Sequence, residues 1–388
     1  MKIWKILLFA LVTIIVLLGI VIWFSTKPLT KEQAIKDIQN VIDGSLNKKQ
    51  SIYSALVYMD APQKGLEVKY ASGTSNGQPI DTNQPFHVAS VGKLFTATLI
   101  GYLVDQGQIT LEDPIHLYLN NEMLSGLFVY EGVDYQDKVT IQHLLSHTSG
   151  IADYFAKEDG GLVESLYLSP DTVYTPQSLV QFTQEHQSAY FAPGNGYHYS
   201  DTGYILLGLI IESVSGKPFH EMLHEVIFDP LAMDNSYLMF YSEPKNGKRP
   251  IAEVWIDGHE VSQFNSVTID WAGGGIVSTL DDLAVYIRAL YHGEIIRKET
   301  LDAFQQFDYE FMTGIQYGNG FMRMEFDKFS PILGFLPQMT GHMGVLGTQL
   351  FYDQETDMVY VSSFGSSDAT ATSVKIMIQI LSTVYRVQ

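Results

Sequence analysis

The chain is predicted to be of the α/β class (α+β type), with one sheet assembled from both ends and a helical region inserted between them. Three observations predict this. Near the start, Ile52–Met59 and Leu66–Ala71 are β-prone runs flanking the turn Asp60-Ala-Pro-Gln-Lys-Gly65, which reads as a hairpin. Near the end, Thr348–Tyr352 and Met358–Ser363 flank a polar turn and read as a second hairpin, followed by a closing helix over Val374–Val384. Between them, residues 105–260 are helical patches separated by Gly/Pro/Asn loops, and Leu94–Val104 is apolar on nearly every side, as in a buried helix. No internal repeat or low-complexity segment interrupts the pattern.

The N-terminus has its own logic. Lys2 and Lys5 precede an uncharged run, Ile6–Phe24, with Trp4 and Trp23 near its two ends. As a helix, those residues would span about 28 Å, close to the hydrocarbon thickness of a bilayer. The run is longer than the apolar core of a cleaved signal peptide, and it ends without a small-x-small site. The expected organisation is therefore a transmembrane signal anchor over 1–27, a short polar helical stalk over 28–50, and a folded domain over 51–388. The lysines ahead of the run place that domain outside a cell membrane; Lys27 and Lys31 lie on the wrong side for this rule, so the orientation also leans on the export signal.

Composition narrows the function. The 388 residues carry a net charge of −20 and no cysteine. Such a chain repels phosphate backbones, so a nucleic-acid partner is not expected. Disulfides, thiolate metal sites and cysteine nucleophiles are excluded.

The chemistry centres on Ser90-Val-Gly-Lys93. Two other Ser-x-x-Lys matches occur, Ser45…Lys48 and Ser242…Lys245, but the first lies in the polar stalk and the second in a Pro/Gly/Lys-rich loop. Only Ser90 opens a long apolar helix, where serine and lysine at i,i+3 share one face. A serine hydroxyl needs such a neighbour to become a nucleophile, and a helix start supplies N–H groups for a developing oxyanion. Three further segments stand out: Pro193-Gly-Asn-Gly-Tyr-His-Tyr199-Ser200-Asp201-Thr-Gly-Tyr-Ile-Leu-Leu-Gly208, Thr340-Gly-His-Met-Gly-Val345, and Val139-Thr-Ile-Gln-His-Leu-Leu-Ser-His147-Thr-Ser-Gly150.

Together these resemble the serine β-lactamase / penicillin-binding-protein superfamily, in the branch of class C β-lactamases, D-Ala-D-Ala carboxypeptidases and related esterases. That family orders Ser-x-x-Lys, Tyr-x-Asn and Lys- or His-x-Gly in this way. The resemblance covers about 52–385 and includes Leu111-Glu-Asp-Pro114, Gly216-Lys-Pro-Phe219, Phe228-Asp-Pro-Leu-Ala-Met233 and Gly273-Gly-Gly-Ile-Val-Ser-Thr-Leu-Asp-Asp282. It implies a mainly antiparallel sheet packed by helices, an all-α lobe, and a site between them. It implies that Ser90 is acylated and that Lys93 and Tyr199 form the base system. By the same resemblance, the N–H groups of Ser90 and Val345, beside Gly344, form the oxyanion hole, and Asp201 and His342 line the cleft from opposite walls. The implied partner is a small-molecule or cell-wall-derived acyl substrate, with no cofactor and no metal. Oligomeric state is left open.

Two departures matter. Asp201 stands where the pattern has Asn and, when ionised, can only accept hydrogen bonds. Met343 and His342 replace residues that would hold a substrate carboxylate. Both argue against an efficient β-lactamase and toward esterase or peptidase relatives.

Other readings compete. A catalytically decayed protein that binds cell-wall ligands would explain Asp201 and Met343, although Ser90, Lys93, Tyr199 and Gly344 are all retained. His220-Glu-Met-Leu-His224 matches a zinc-protease signature, but Phe219, Met222, Leu223 and Val226 would form the buried face of that helix, and no third ligand follows at the usual spacing. His143 and His147 are read as loop-structuring, and Tyr154, Tyr190 and Tyr197 as candidate cleft-rim residues.

Overall fold

Both expected hairpins form. In the computed structural model, which describes residues 27–388, β1 (Ser54–Ala61) and β2 (Leu66–Ser75) are antiparallel, with Ala61 opposite Leu66. Gly65 closes their turn at φ 55°, a left-handed conformation that glycine adopts without penalty. A two-residue strand, β3 (Gln78–Pro79), extends the edge. Far along the chain come β4 (Tyr309–Met312), β5 (Ile315–Tyr317), β6 (Met322–Met324), β7 (Met339–Met343), β8 (Gln349–Asp353) and β9 (Met358–Ser363). The order across the sheet is β4-β5-β6-β7-β8-β9-β1-β2-β3, antiparallel at every junction. The seam between the two chain ends is β1 on β9, with Leu56 opposite Ser363.

The central strands are buried on both faces: every residue of β8 and β9 is inaccessible. This is why they read as continuous apolar runs and not as alternating ones. One face is covered by α1 (Lys31–Asp43) and the closing helix α5 (Thr370–Tyr385), whose Ile376, Met377, Ile380, Leu381 and Val384 share a core with Ala34, Ile38 and Ile42 of α1. The other face carries α2 (Gly92–Asp105), α3 (Asp201–Ser215) and α4 (Leu280–Tyr291) in a larger core. The run from Gly92 to Gly101 in α2 is buried throughout, as its all-round apolar pattern predicts.

Two expectations are revised. Residues 28–50, read as a stalk, include α1, which packs on the sheet domain: Ala34, Ile38 and Ile42 recur every four residues and form a buried stripe on an otherwise polar helix. Thr30 and Gln33 close its N-terminus with a reciprocal capping box. The inserted region, expected to be all-α, also holds a small ladder of Phe86–His87, Ile276–Ser278 and Tyr237–Leu238. That ladder fixes the segment just before Ser90. The anchor expected over 1–27 lies almost wholly outside the described residues; among the described residues no helix is long and apolar enough to cross a membrane.

Candidate active site

Ser90 sits on a single 3₁₀ turn, Ala89–Val91, that runs directly into α2. Ala89 has φ 49°, a left-handed conformation that costs a non-glycine residue about 1–3 kcal/mol. The surroundings over-determine it. The Val88 N–H donates to the Ile276 carbonyl at 2.9 Å, the Ala89 N–H to His87 Nδ1 at 3.1 Å, and Gly274 packs against the turn. The result is a serine presented at the mouth of a buried helix, itself partly exposed.

One turn on, Lys93 is fully buried. Its ammonium donates to Ser90 Oγ at 3.1 Å, to the Gly273 carbonyl at 2.9 Å, and to Asp201 Oδ1 in a close ion pair. An ammonium has three donors, and all three are used. The glycines at 273–275 make this approach possible. A Cβ on Gly273 would lie 2.8 Å from Asp201 Oδ1, and one on Gly92 would lie 2.9 Å from Gly274 Cα.

Tyr199 lies beside Ser90 and Lys93 at the mouth of α2. Its ring lies 5.0 Å from Lys93 Nζ, and its centroid is 4.2 Å from that of the His147 ring, tilted by 34°. Burial, and next the Asp201 carboxylate, push the Tyr199 phenol well above its ordinary range. With Lys93 donating to Ser90 Oγ, the serine hydroxyl is left to donate elsewhere in the site.

Carboxyl groups crowd the surroundings of Lys93. Asp153 is buried, and its Oδ1 accepts from the Phe155 and Asp201 N–H groups at 2.9 and 3.2 Å. Burial and the Asp201 field raise its pKa well above the carboxylate range. Asp270 is pushed up to about 7, first by burial and then by Asp201, and its Oδ2 lies 3.4 Å from His87 Nε2. His87 is held down at about 4 by burial, so it is neutral at pH 7.

The third wall is the end of β7. Gly344 lies against the nucleophile turn: a Cβ there would be 2.9 Å from Ala89 Cβ, 3.0 Å from the Val88 carbonyl and 3.1 Å from the Ser90 nitrogen. Val345, next along, is exposed. The structure thus brings Ser90, Lys93, Tyr199, Asp201 and Gly344 together, with Val345 the next residue in the chain. His342 does not line the open cleft as expected. It is fully buried, with Nδ1 bonded to the Met343 carbonyl at 2.7 Å and Nε2 bonded to the Tyr317 hydroxyl at 3.1 Å. Its pKa is lowered to about 3, chiefly by burial and next by Lys93, so it carries no charge. Its ring enters the Tyr317–Tyr204 network, while Gly344, just past the strand, packs on the Ser90 turn.

His147, read from sequence as loop-structuring, acts in that way: at φ 58° it accepts from the Ser200 N–H at 3.1 Å, and its ring lies beside that of Tyr199. Two participants were not singled out from sequence. Asp153 and Asp270 sit in loops without a motif of their own. Tyr154, considered for the rim, is buried, its hydroxyl bonded to the Ile269 carbonyl at 2.8 Å. Tyr190 is exposed and bonds Asp159 at 2.6 Å. The Tyr197 hydroxyl is buried. His224 contacts Asp229 and Ser242, while Phe219, Met222, Leu223 and Val226 form the buried face. Among the described residues no three His, Asp or Glu side chains converge as metal ligands.

A partly exposed serine at a helix mouth, a saturated buried lysine one turn on and a tyrosine beside them define an active-site-serine fold of the acyl-transfer class. The chain belongs to the Beta-lactamase family, whose model matches residues 55–373. It is 29% identical over 311 residues to Penicillin-binding protein 4* of Bacillus subtilis (strain 168), covering 76% of this chain and 64% of that protein. It is 25% identical over 266 residues to a β-lactamase of Pseudomonas fluorescens, covering 68% of this chain and 67% of that one. The chain thus spans about two thirds of the length of these relatives. In fold it resembles the D-amino acid amidase of Ochrobactrum anthropi SV3 complexed with D-phenylalanine, with a TM-score of 0.73, 21% identity, and coverage of 91% of this chain and 99% of that one.

Proposed function

We propose that this chain is a serine hydrolase acting through a Ser90 acyl-enzyme on an ester, or on an amide or peptide of a D-amino acid, derived from cell-wall material. The observation that carries the reading is the saturated Lys93 ammonium. With Asp201 and Gly273 filling two of its donors, the third is fixed on Ser90 Oγ, which leaves Tyr199 as the acceptor for the serine proton. In the form of the enzyme whose Tyr199 has released its own proton to solvent and stands as a phenolate beside the Lys93 ammonium, the serine proton passes to the Tyr199 oxygen as Oγ bonds the substrate carbonyl carbon. The carbonyl oxygen becomes an oxyanion facing the N–H groups of Ser90 and Val345. As the C–O or C–N bond breaks, Tyr199 returns the proton to the leaving group. Water then repeats the sequence on the acyl-serine ester and releases the acid.

The β7 wall shapes the choice of substrate. His342 is neutral and buried, and Met343 is buried beside it, so neither can pair with a substrate carboxylate. This favours esters and amides lacking a free carboxylate at that end over D,D-dipeptide termini and β-lactams. The names of the relatives fit the same range of acyl compounds. The uncharged run Ile6–Phe24 supports an anchor that holds the domain on the outer side of a cell membrane.

The test is hydrolysis of a short nitrophenyl ester, with intact mass after trapping, by wild type, by Ser90→Ala and by a chelator-treated sample. Turnover and an acyl adduct that vanish in Ser90→Ala and survive the chelator are expected. A folded wild type with neither turnover nor adduct would point to a decayed, ligand-binding site. Loss to the chelator alone would return attention to His220 and His224.

A further inference from the structure

The described chain begins and ends at one place. Leu29 and Val387 form a parallel bridge, and Arg386 Nε donates to the Lys27 carbonyl at 3.0 Å. Beside them lies a groove of about 1370 Å³ between α1, the last turns of α5 and the loop over residues 330–336. Leu333, Ile378 and Tyr385 line it, and on its lip Ile332 and Phe335 are 69% and 53% exposed. Two large apolar side chains on one short loop, above a partly apolar groove, form a patch that needs a partner.

Two observations say what that partner is. The first is where the undescribed chain enters. Pro28 lines the groove, and Phe24, the last residue of the uncharged run, precedes it by four residues, at most about 14 Å of extended chain. A membrane crossed by residues 6–24 would therefore lie within reach of this face. The second is charge. In a chain of net charge −20, Lys64 and Arg386 line the groove against a single acidic side chain, Asp37, and Lys27 and Lys31 lie at the same end of the fold. Exposed apolar tips within a basic rim match the boundary between acyl chains and anionic headgroups.

We propose that this groove is a membrane-seating surface. Ile332 and Phe335 enter the headgroup–acyl boundary, and the Lys64/Arg386 rim meets anionic lipid. The inference rests on the anchor reading of residues 6–24, and it adds a fixed orientation that a flexible tether alone would not give.

The absence of cysteine makes the test direct. Full-length Ile332→Cys, Phe335→Cys and Leu117→Cys chains are labelled with a polarity-sensitive fluorophore; Leu117 is 61% exposed in the inserted helical region. They are reconstituted into phosphatidylcholine vesicles with and without phosphatidylglycerol. With anionic lipid, labels at 332 and 335 are expected to lose iodide quenching by at least about threefold and to be quenched by nitroxide-bearing lipid, while 117 stays in water. Lys64→Glu should reduce that difference between the two lipid mixtures. Sedimentation with vesicles while 332 and 335 remain as iodide-accessible as 117 would overturn the seating surface and leave the anchor standing. Failure to sediment would overturn both. Shielding at 332 and 335 before any lipid is added would overturn the proposal in favour of the groove being filled by residues 6–24 themselves.

Discussion

Gly344→Ala is the sharpest perturbation of the site, because a single methyl group meets three atoms at once. The new Cβ would stand 2.9 Å from Ala89 Cβ, 3.0 Å from the Val88 carbonyl and 3.1 Å from the Ser90 nitrogen. Non-bonded carbon contacts settle near 3.5–4.0 Å, so relief requires a shift of about 0.5–1 Å. No rotamer can absorb it. The Ser90 turn is pinned by the Val88–Ile276 bond at 2.9 Å, and Gly344 by its own N–H bond to the Thr348 carbonyl at 2.7 Å. The shift therefore opens the gap between the Ser90 and Val345 N–H groups. Misplacing or losing an oxyanion donor costs about 10²–10³-fold in turnover, and overpacking costs about 1–3 kcal/mol of stability. The assay is ester kcat/KM with urea denaturation in parallel. Gly203→Ala is the control: its Cβ would meet nothing closer than 3.6 Å, and it should leave turnover within about twofold and stability unchanged or raised by up to about 1 kcal/mol. A folded Gly344→Ala enzyme within about threefold of wild type would refute the two-donor geometry.

Three further outcomes are expected. Asp201→Asn removes the charge that, after burial, does most to raise the Tyr199 phenol, so the rising limb of the kcat/KM–pH profile should move to lower pH; an unmoved limb would argue against Tyr199 as the base. Asp270 has a folded-state pKa raised to about 7, above its unfolded value near 4. The stability it contributes is therefore fully present below about pH 4 and lost as pH rises through 7, and Asp270→Asn should gain about 2–4 kcal/mol over wild type at pH 8 relative to pH 4. An equal effect at both pH values in denaturation experiments would contradict that. Tyr317→Phe strips His342 Nε2 of its partner inside the core and should cost about 1–3 kcal/mol in thermal unfolding; an unchanged melting temperature would show that the imidazole finds another donor.

The parts of the fold visible in the sequence were those with local signals. Both hairpins combine β-prone runs with a turn, and α2 and α5 are long and apolar enough to declare themselves. The edge strands β4–β6 escaped because each is only three or four residues long and glycines interrupt them. The packing of α1 was hidden by the polar composition of 28–50, although its Ile38/Ile42 stripe was in plain view. The site divides in the same way. Ser90 and Lys93 are three residues apart, and Tyr199 stands in a recognisable segment. Asp153 meets Asp201, and Tyr317 meets His342, only through the tertiary fold. The motif over Thr340–Val345 reads as preceding the strand expected at Thr348–Tyr352, so neither the strand that carries His342 nor its cover by Tyr317 was visible.

The β1–β9 seam has a consequence for when this protein becomes active. Leu56 pairs with a residue about three hundred positions later, and the nucleophile turn leans on Gly344, some two hundred and fifty positions beyond Ser90. Such non-local pairing is slow to form. At synthesis rates of about 5–20 residues per second, roughly 15–60 s separate the appearance of β1 from that of its partner. Throughout that interval the first hairpin has an open edge, and Ser90 has no β7 wall beside it. The nucleophile is made early and assembled last, so losing the final thirty or so residues, which include β9 and α5, would silence a serine near the opposite end of the chain.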